Sequence, residues 1–205
     1  MNGKSVFLVA GSDLDKVCEQ VPEEVITNCE GVFCSMGNEF WSKGECVYKN
    51  NWKCGVDLSL ALKIVRELST YPVKRGNWLE PRPGMLNFSV PGRDSSIEER
   101  LAYSNWDKQN NERGNIVTTF SQEFSDLDFR IGGQISIDIN PKGNNKSQAS
   151  RWIRENIGGN MYFFGDSCFN GGNDADIYQD IVAVGDGKAY NVKSFEETLQ
   201  LVREL

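Results

Sequence analysis

The chain has 205 residues and a formal net charge of −7, enough length for one core, or one core with a smaller inserted domain, and an overall field that repels nucleic acid and anionic lipid. It contains no histidine, which removes Ser-His and Cys-His nucleophile pairs, imidazole acid/base steps and the usual zinc sites. Chemistry must therefore rest on carboxylates, lysine, arginine, backbone amides and a hard metal.

Ser5 to Ala10, rich in Val, Phe and Leu, reads as a short buried parallel strand running into a Gly11-Ser12 turn, with a helix from Asp13. Gly31 to Tyr48 reads as short strands or a hairpin. Val56, Leu58, Leu60, Leu62, Ile64, Val65 and Leu68 recur at helical spacing and predict an amphipathic helix ending before Tyr71-Pro72. From about Lys74 the pattern changes: Trp78 to Glu80 and Met85 to Ser89 are strands flanking a Pro81-Arg82-Pro83-Gly84 turn. Capping-box patterns at Ser95 and Ser96 start a helix, and a second covers Glu112 to Phe124. Phe129 to Ile139 alternates as a strand pair around Gly132-Gly133. The polar turn Pro141 to Asn145 marks the return to the first domain. Then come a helix (Ser147 to Asn156), a strand (Met161 to Gly165), a short strand (Ile181 to Gly185) and a C-terminal helix (Ser194 to Leu205). The reading is α/β, an open parallel sheet with an α+β insertion: residues 1–74 and 144–205 form the first domain and 75–143 the insertion.

Apolar runs such as Val6 to Ala10 and Met161 to Phe164 are far below the roughly 20 residues that cross a bilayer, and the start of the chain has no signal-peptide pattern. The six cysteines form no C-x-x-C pair and predict reduced thiols. The expectation is a soluble, cytoplasmic protein with no nucleic-acid or membrane partner.

Arg82, Arg93 and Arg100 stand out in the insertion, because converging guanidinium groups on an acidic protein make a local phosphate site. Solvated surface arginines are the alternative at equal weight. Ser136 and Asp138, two apart on a strand, face one side and can bond sugar hydroxyls. Met161-Tyr-Phe-Phe-Gly-Asp166 ends in a carboxylate where a buried strand meets a loop, a position suited to magnesium holding a phosphate. Gly171-Gly172-Asn173-Asp174 follows as a loop permitting close approach. Ser12 can bond a phosphate oxygen, and Lys146 supplies a cation nearby.

The run from Arg82-Pro-Gly-Met-Leu-Asn through Gly92-Arg93 to Glu99-Arg100, with Gly132-Gly-Gln-Ile-Ser136-Ile-Asp138, Phe163-Phe-Gly-Asp166 and Gly171-Gly-Asn-Asp174, resembles eukaryotic-type phosphomannomutases of the haloacid dehalogenase superfamily. The resemblance implies a Rossmann-like core with an inserted cap. It implies that Arg82, Arg93, Arg100, Ser136 and Asp138 hold the sugar and the phosphate distal to the reaction. Ser12 and Lys146 would hold the transferring phosphate and Asp166 would bind magnesium. Asp174 and Asp180 are further metal candidates, although Ala183 stands where the family has a hydroxyl ligand.

The family begins with a buried strand ending Asp-x-Asp-Gly-Thr, whose aspartates are nucleophile and acid/base. The pairs present here, Asp13/Asp15, Asp126/Asp128 and Asp174/Asp176, are not followed by Gly-Thr, so no catalytic residue is assigned. The expectation is a chain that starts after that central strand, leaving a place between the strand ending at Ala10 and the one ending at Gly165. A fragmentary gene is the favoured reason. The implied activity interconverts hexose 1-phosphate and hexose 6-phosphate, mannose or glucose, with Mg²⁺ and a hexose 1,6-bisphosphate activator, in mannose metabolism leading to GDP-mannose. A homodimer through the cap is implied by the family only. The competing expectations are a sugar-phosphate phosphatase and an inert sugar-phosphate binding protein.

Overall fold

The structure, a computed structural model, describes residues 4–53 and 57–205. Val56, counted above in the helical pattern, and Cys54 lie outside the described residues; the other five cysteines are unpaired.

The first lobe opens with β1 (Phe7–Val9), α1 (Leu14–Gln20), α2 (Glu23–Asn28) and β2 (Gly31–Cys34), followed by a 3₁₀ turn at Ser35–Gly37, β3 (Glu39–Ser42) and β4 (Glu45–Lys49). β1 and β2 are parallel, whereas β2, β3 and β4 form an antiparallel meander, so this sheet is mixed rather than all parallel. Asp13 caps α1 by accepting the Lys16 backbone N–H at 3.0 Å.

The inserted lobe carries α3 (Leu58–Leu68), β5 (Leu79–Arg82), β6 (Met85–Ser89), α4 (Ile97–Asn110), α5 (Glu112–Glu123), β7 (Leu127–Gly132) and β8 (Ser136–Pro141). Its antiparallel sheet has the order β5-β6-β8-β7. Pro81 and Arg82 belong to β5, because Pro81 pairs with Leu86 and Arg82 with Met85; the turn is only Pro83-Gly84, with Gly84 at φ 66°. Proline is tolerated there because β5 is an edge strand. One face of the sheet, with Phe88, Phe129, Ile137 and Ile139, packs with Tyr103, Ile116 and Phe120 of the helices. Leu58, Leu62 and Tyr71 are buried in that same cluster. Helix α3 therefore packs in the same cluster as the inserted sheet, although it precedes residue 75.

The chain returns to the first lobe through α6 (Ser147–Asn156), β9 (Met161–Gly165), α7 (Ala175–Val184), β10 (Gly187–Asn191) and α8 (Phe195–Arg203). The short strand expected at Ile181 to Gly185 is instead the end of α7. Ile177 and Ile181, one turn apart, are buried against Phe33, Phe40 and Ala149 while Val182 and Val184 face solvent, and Gly185 ends the helix at φ 75°. The strand comes after it, as β10, parallel to β9.

β1 and β9 stand in separate sheets. Both border one apolar cluster: Phe7 and Val9 of β1 and Phe163 of β9 each pack against the buried group that includes Phe33, Phe40 and Ile177. Each has one edge with no strand hydrogen-bonded to it among the described residues. They have not closed on each other.

Candidate functional site

The polar face of the inserted sheet looks back at the first lobe. Register sets Asn87 and Arg130 on either side of Asp138, and Gly132 beside Ser136. The Asn87 amide donates to the Asp138 carboxylate at 2.7 Å. A Cβ at Gly132 would sit 2.5 Å from an Asp138 oxygen, so any side chain there would displace that buried carboxylate. The loop from Gly132 to Ser136 is pinned from behind by buried Arg113, whose Nη1 donates to the carbonyls of Gly132, Gly133 and Ser136 at 3.0–3.2 Å. Asp107 fixes Arg113 in turn, accepting from its Nε at 2.7 Å.

The three arginines converge. Arg82, Arg93 and Arg100 line one cleft of about 290 Å³ together with Asn87, Ser136 and Asp138. Glu80, opposite Asn87 in register, holds two of them, accepting from Arg82 Nε at 2.6 Å and Arg93 Nη2 at 2.8 Å. Arg93 Nη1 also donates to Asn87 at 2.7 Å and Ser136 at 3.2 Å. Arg100 donates to the carbonyls of Ser95 and Arg93. Burial, and the neighbouring Arg82 and Arg100 charges, draw the Arg93 guanidinium below its ordinary pKa against the pull of Glu80.

The floor comes from the first lobe: Gly11 and Ser12 after β1, Lys16 and Gln20 on α1, and Asn173 before α7. Arg82 crosses between lobes, its Nη1 donating to the Gly11 carbonyl at 2.9 Å. Burial pushes the Asp138 carboxyl above the usual carboxylate range, opposed by Arg82, the Asn87 amide and Lys146. Beneath Asn173, buried Lys146 and Asp174 pair at 2.6 Å, and Asp174 also accepts the Ser167 N–H at 3.1 Å.

A sequence profile described as "Eukaryotic phosphomannomutase" matches residues 2–205. The chain belongs to that family. A phosphomannomutase of Dendrobium officinale is 36% identical over 190 residues, covering 88% of this chain and 74% of the relative. Among solved structures, a haloacid dehalogenase-like hydrolase from Bacteroides thetaiotaomicron has a TM-score of 0.51 at 11% identity, covering 85% of this chain and 72% of that one. The sucrose-phosphatase of Synechocystis sp. PCC6803, in complex with sucrose and phosphate, has a TM-score of 0.53 at 10% identity, covering 97% and 84%. These last two likenesses concern the fold: a haloacid dehalogenase-type α/β core.

For a phosphomannomutase-family chain, the distribution of carboxylates is informative. Asp166, at the end of β9, is exposed and accepts only the Ser167 hydroxyl, at 3.1 Å, among the described residues. Magnesium keeps several waters and takes one or two carboxylates beside a phosphate, so Asp166 fits such an ion. Asp174 is engaged by Lys146. Asp180, also expected as a metal ligand, lies in α7 and accepts from Ser150 at 2.6 Å and Arg154 at 2.9 Å. Through these bonds Asp180 ties α6 to α7. No group of three or more metal-ligating side chains occurs among the described residues.

The Asp-x-Asp pairs are also accounted for. Asp13 caps α1, Asp128 accepts the Gly143 N–H at 2.8 Å, Asp174 holds Lys146, and Asp176 holds Arg130 at 2.7 Å. Glu80, Asn87, Lys16, Gln20 and Gln134 join the site only in the structure. Alternation along β5 and β6 was the available signal for Glu80 and Asn87; Lys16 and Gln20 enter only because the lobes face each other.

Proposed function

We propose that this chain carries the sugar-phosphate grip and most of the phosphoryl-transfer lobe of a phosphohexomutase that interconverts the 1- and 6-phosphates of mannose or glucose. One observation carries the reading. Arg82, Arg93 and Arg100 line a single interlobe cleft with Ser136 and Asp138 in a member of the phosphomannomutase family. The guanidinium groups would hold the phosphate that is not reacting, and Ser136 and Asp138 the sugar hydroxyls, fixing the reacting end toward the opposite lobe. Ser12 would donate to the transferring phosphoryl group and Lys146 would neutralise it, giving up part of its bond to Asp174. Magnesium, held by Asp166, would supply further charge neutralisation there.

The chemical step in this reading uses an aspartate that forms a transient aspartyl-phosphate, with a hexose 1,6-bisphosphate as intermediate and activator. The family resemblance implies that such an aspartate ends a strand in Asp-x-Asp-Gly-Thr, and the unpaired edges of β1 and β9 would accept such a strand. A cytoplasmic role supplying mannose 1-phosphate toward GDP-mannose goes with the reading, as does a homodimer through the inserted lobe. The exposed Leu60, Ile64 and Leu68 of α3 support such a contact.

A second reading, an inert sugar-phosphate binding protein, is favoured by the structural engagement of Asp13, Asp128, Asp174 and Asp176. The test is turnover of mannose 1-phosphate to mannose 6-phosphate with magnesium and a bisphosphate activator. The 205-residue chain should bind both sugars without turnover. A chain extended with a strand ending Asp-x-Asp-Gly-Thr should convert them; continued inactivity supports the binding protein, and release of inorganic phosphate supports a phosphatase.

A further inference from the structure

The cleft is lined by four cations, Arg82, Arg93, Arg100 and Lys16, against one carboxylate, Asp138, in a chain of net charge −7. Their free hydrogen-bonding capacity differs. Arg82 is committed on both sides, to Glu80 through Nε and to the Gly11 carbonyl through Nη1, and its side chain is only 5% exposed. Among the described residues, that leaves only its Nη2 to offer a ligand. Arg93 spends Nη1 and Nη2 on Asn87, Ser136 and Glu80. Arg100 spends Nε and Nη2 on backbone carbonyls.

Lys16 is different. Among the described residues its ammonium meets only Glu19, at 3.5 Å, one turn along α1, and the two side chains are 40% and 67% exposed. Such a pair contributes little and exchanges readily. Lys16 also belongs to the lobe opposite Arg93 and Arg100. A phosphate dianion bound by those arginines therefore sits in a cleft whose lining from the other lobe includes this ammonium, with three donors.

We propose that Lys16 is the first lobe's ligand for the distal sugar phosphate, closing over the oxygens that Arg93 and Arg100 leave free. This inference rests on the reading of the cleft as a sugar-phosphate site. In this arrangement the phosphate bridges the lobes, so Lys16 contributes to affinity only when they face each other, and exchanges its surface partner Glu19 for the ligand.

The experiment is calorimetric titration of the 205-residue chain with mannose 6-phosphate, glucose 6-phosphate and unphosphorylated mannose, for the parent chain, Lys16→Met, Lys16→Arg and Arg93→Ala. Circular dichroism serves as the fold control. Lys16→Met should weaken both sugar phosphates about tenfold and flatten the salt dependence of binding, leave mannose unaffected, and be largely restored in Lys16→Arg. If Arg93→Ala weakens binding while Lys16→Met stays within twofold of the parent, the role of Lys16 is refuted and the cleft reading stands. If Arg93→Ala binds as the parent does, the cleft reading itself is refuted, and this inference with it.

Discussion

Arg130 of β7 and Asp176 in the first turn of α7 are joined by two hydrogen bonds, Nε to one carboxylate oxygen at 2.7 Å and Nη2 to the other at 2.9 Å. This parallel pairing, reinforced by the Ile131 N–H donating to the Gly171 carbonyl at 2.8 Å, ties the inserted lobe to the loop that carries Asn173 and Asp174. Arg130→Ala should loosen that tie. Small-angle scattering is expected to show a larger radius of gyration than the parent, and urea unfolding a loss of about 1.5–3 kcal/mol, the range for a hydrogen bond to a charged group. An unchanged radius would mean that Arg82 and the backbone link suffice.

Asp138 sets function against stability. Its folded pKa lies above the unfolded value of about 3.9, so the native state takes up this proton more readily than the unfolded chain. Its favourable contribution is full below the unfolded value and is lost as pH rises through the raised folded value. Asp138→Asn keeps an acceptor for Asn87 without the charge. It should be more stable than the parent at pH 7, with the gap closing on acidification, and should bind hexose phosphate more weakly. Equal stability at pH 7 would show that Arg82 and Lys146 fully compensate the buried carboxylate.

Arg113 is expected to matter without touching substrate. Arg113→Ala would leave Asp107, 8% exposed at its side chain, buried without its cation and with only the backbone N–H of residue 113 as donor, at a cost of up to about 3–5 kcal/mol. The milder Arg113→Lys retains the charge but cannot reach all three carbonyls of the Gly132 to Ser136 loop. It should keep most of the stability and lose hexose-phosphate affinity. Loss of stability with affinity intact would separate the loop from the binding site.

Asp166 and Asp180 should part company. If Asp166 holds magnesium beside phosphate, Asp166→Asn abolishes the rise in melting temperature that magnesium gives in the presence of hexose phosphate. Asp180→Asn should preserve that rise on a lower baseline, because it weakens the bonds to Ser150 and Arg154. The reverse pattern would return Asp180 to the metal site.

The lack of histidine, the clustered arginines, the Ser136/Asp138 alternation and the Phe-Phe-Gly-Asp166 strand end were all legible in the chain, because they depend on residue chemistry and on periods of two or a few residues. So was the α/β order with an inserted lobe. The stretch Ile181 to Gly185 ends a helix rather than forming the expected strand: a run of Ile, Val and Ala fits a buried strand or a helix equally well locally, and only packing of Ile177 and Ile181 with Phe33 and Phe40 chooses the helix. Tertiary structure alone packed α3 into the cluster of the inserted sheet, paired Asp180 and Asp176 with arginines, and put Lys16 in the lining of the cleft that Arg93 also lines. Those outcomes depend on contacts between residues tens of positions apart, where geometry decides which donors and acceptors meet.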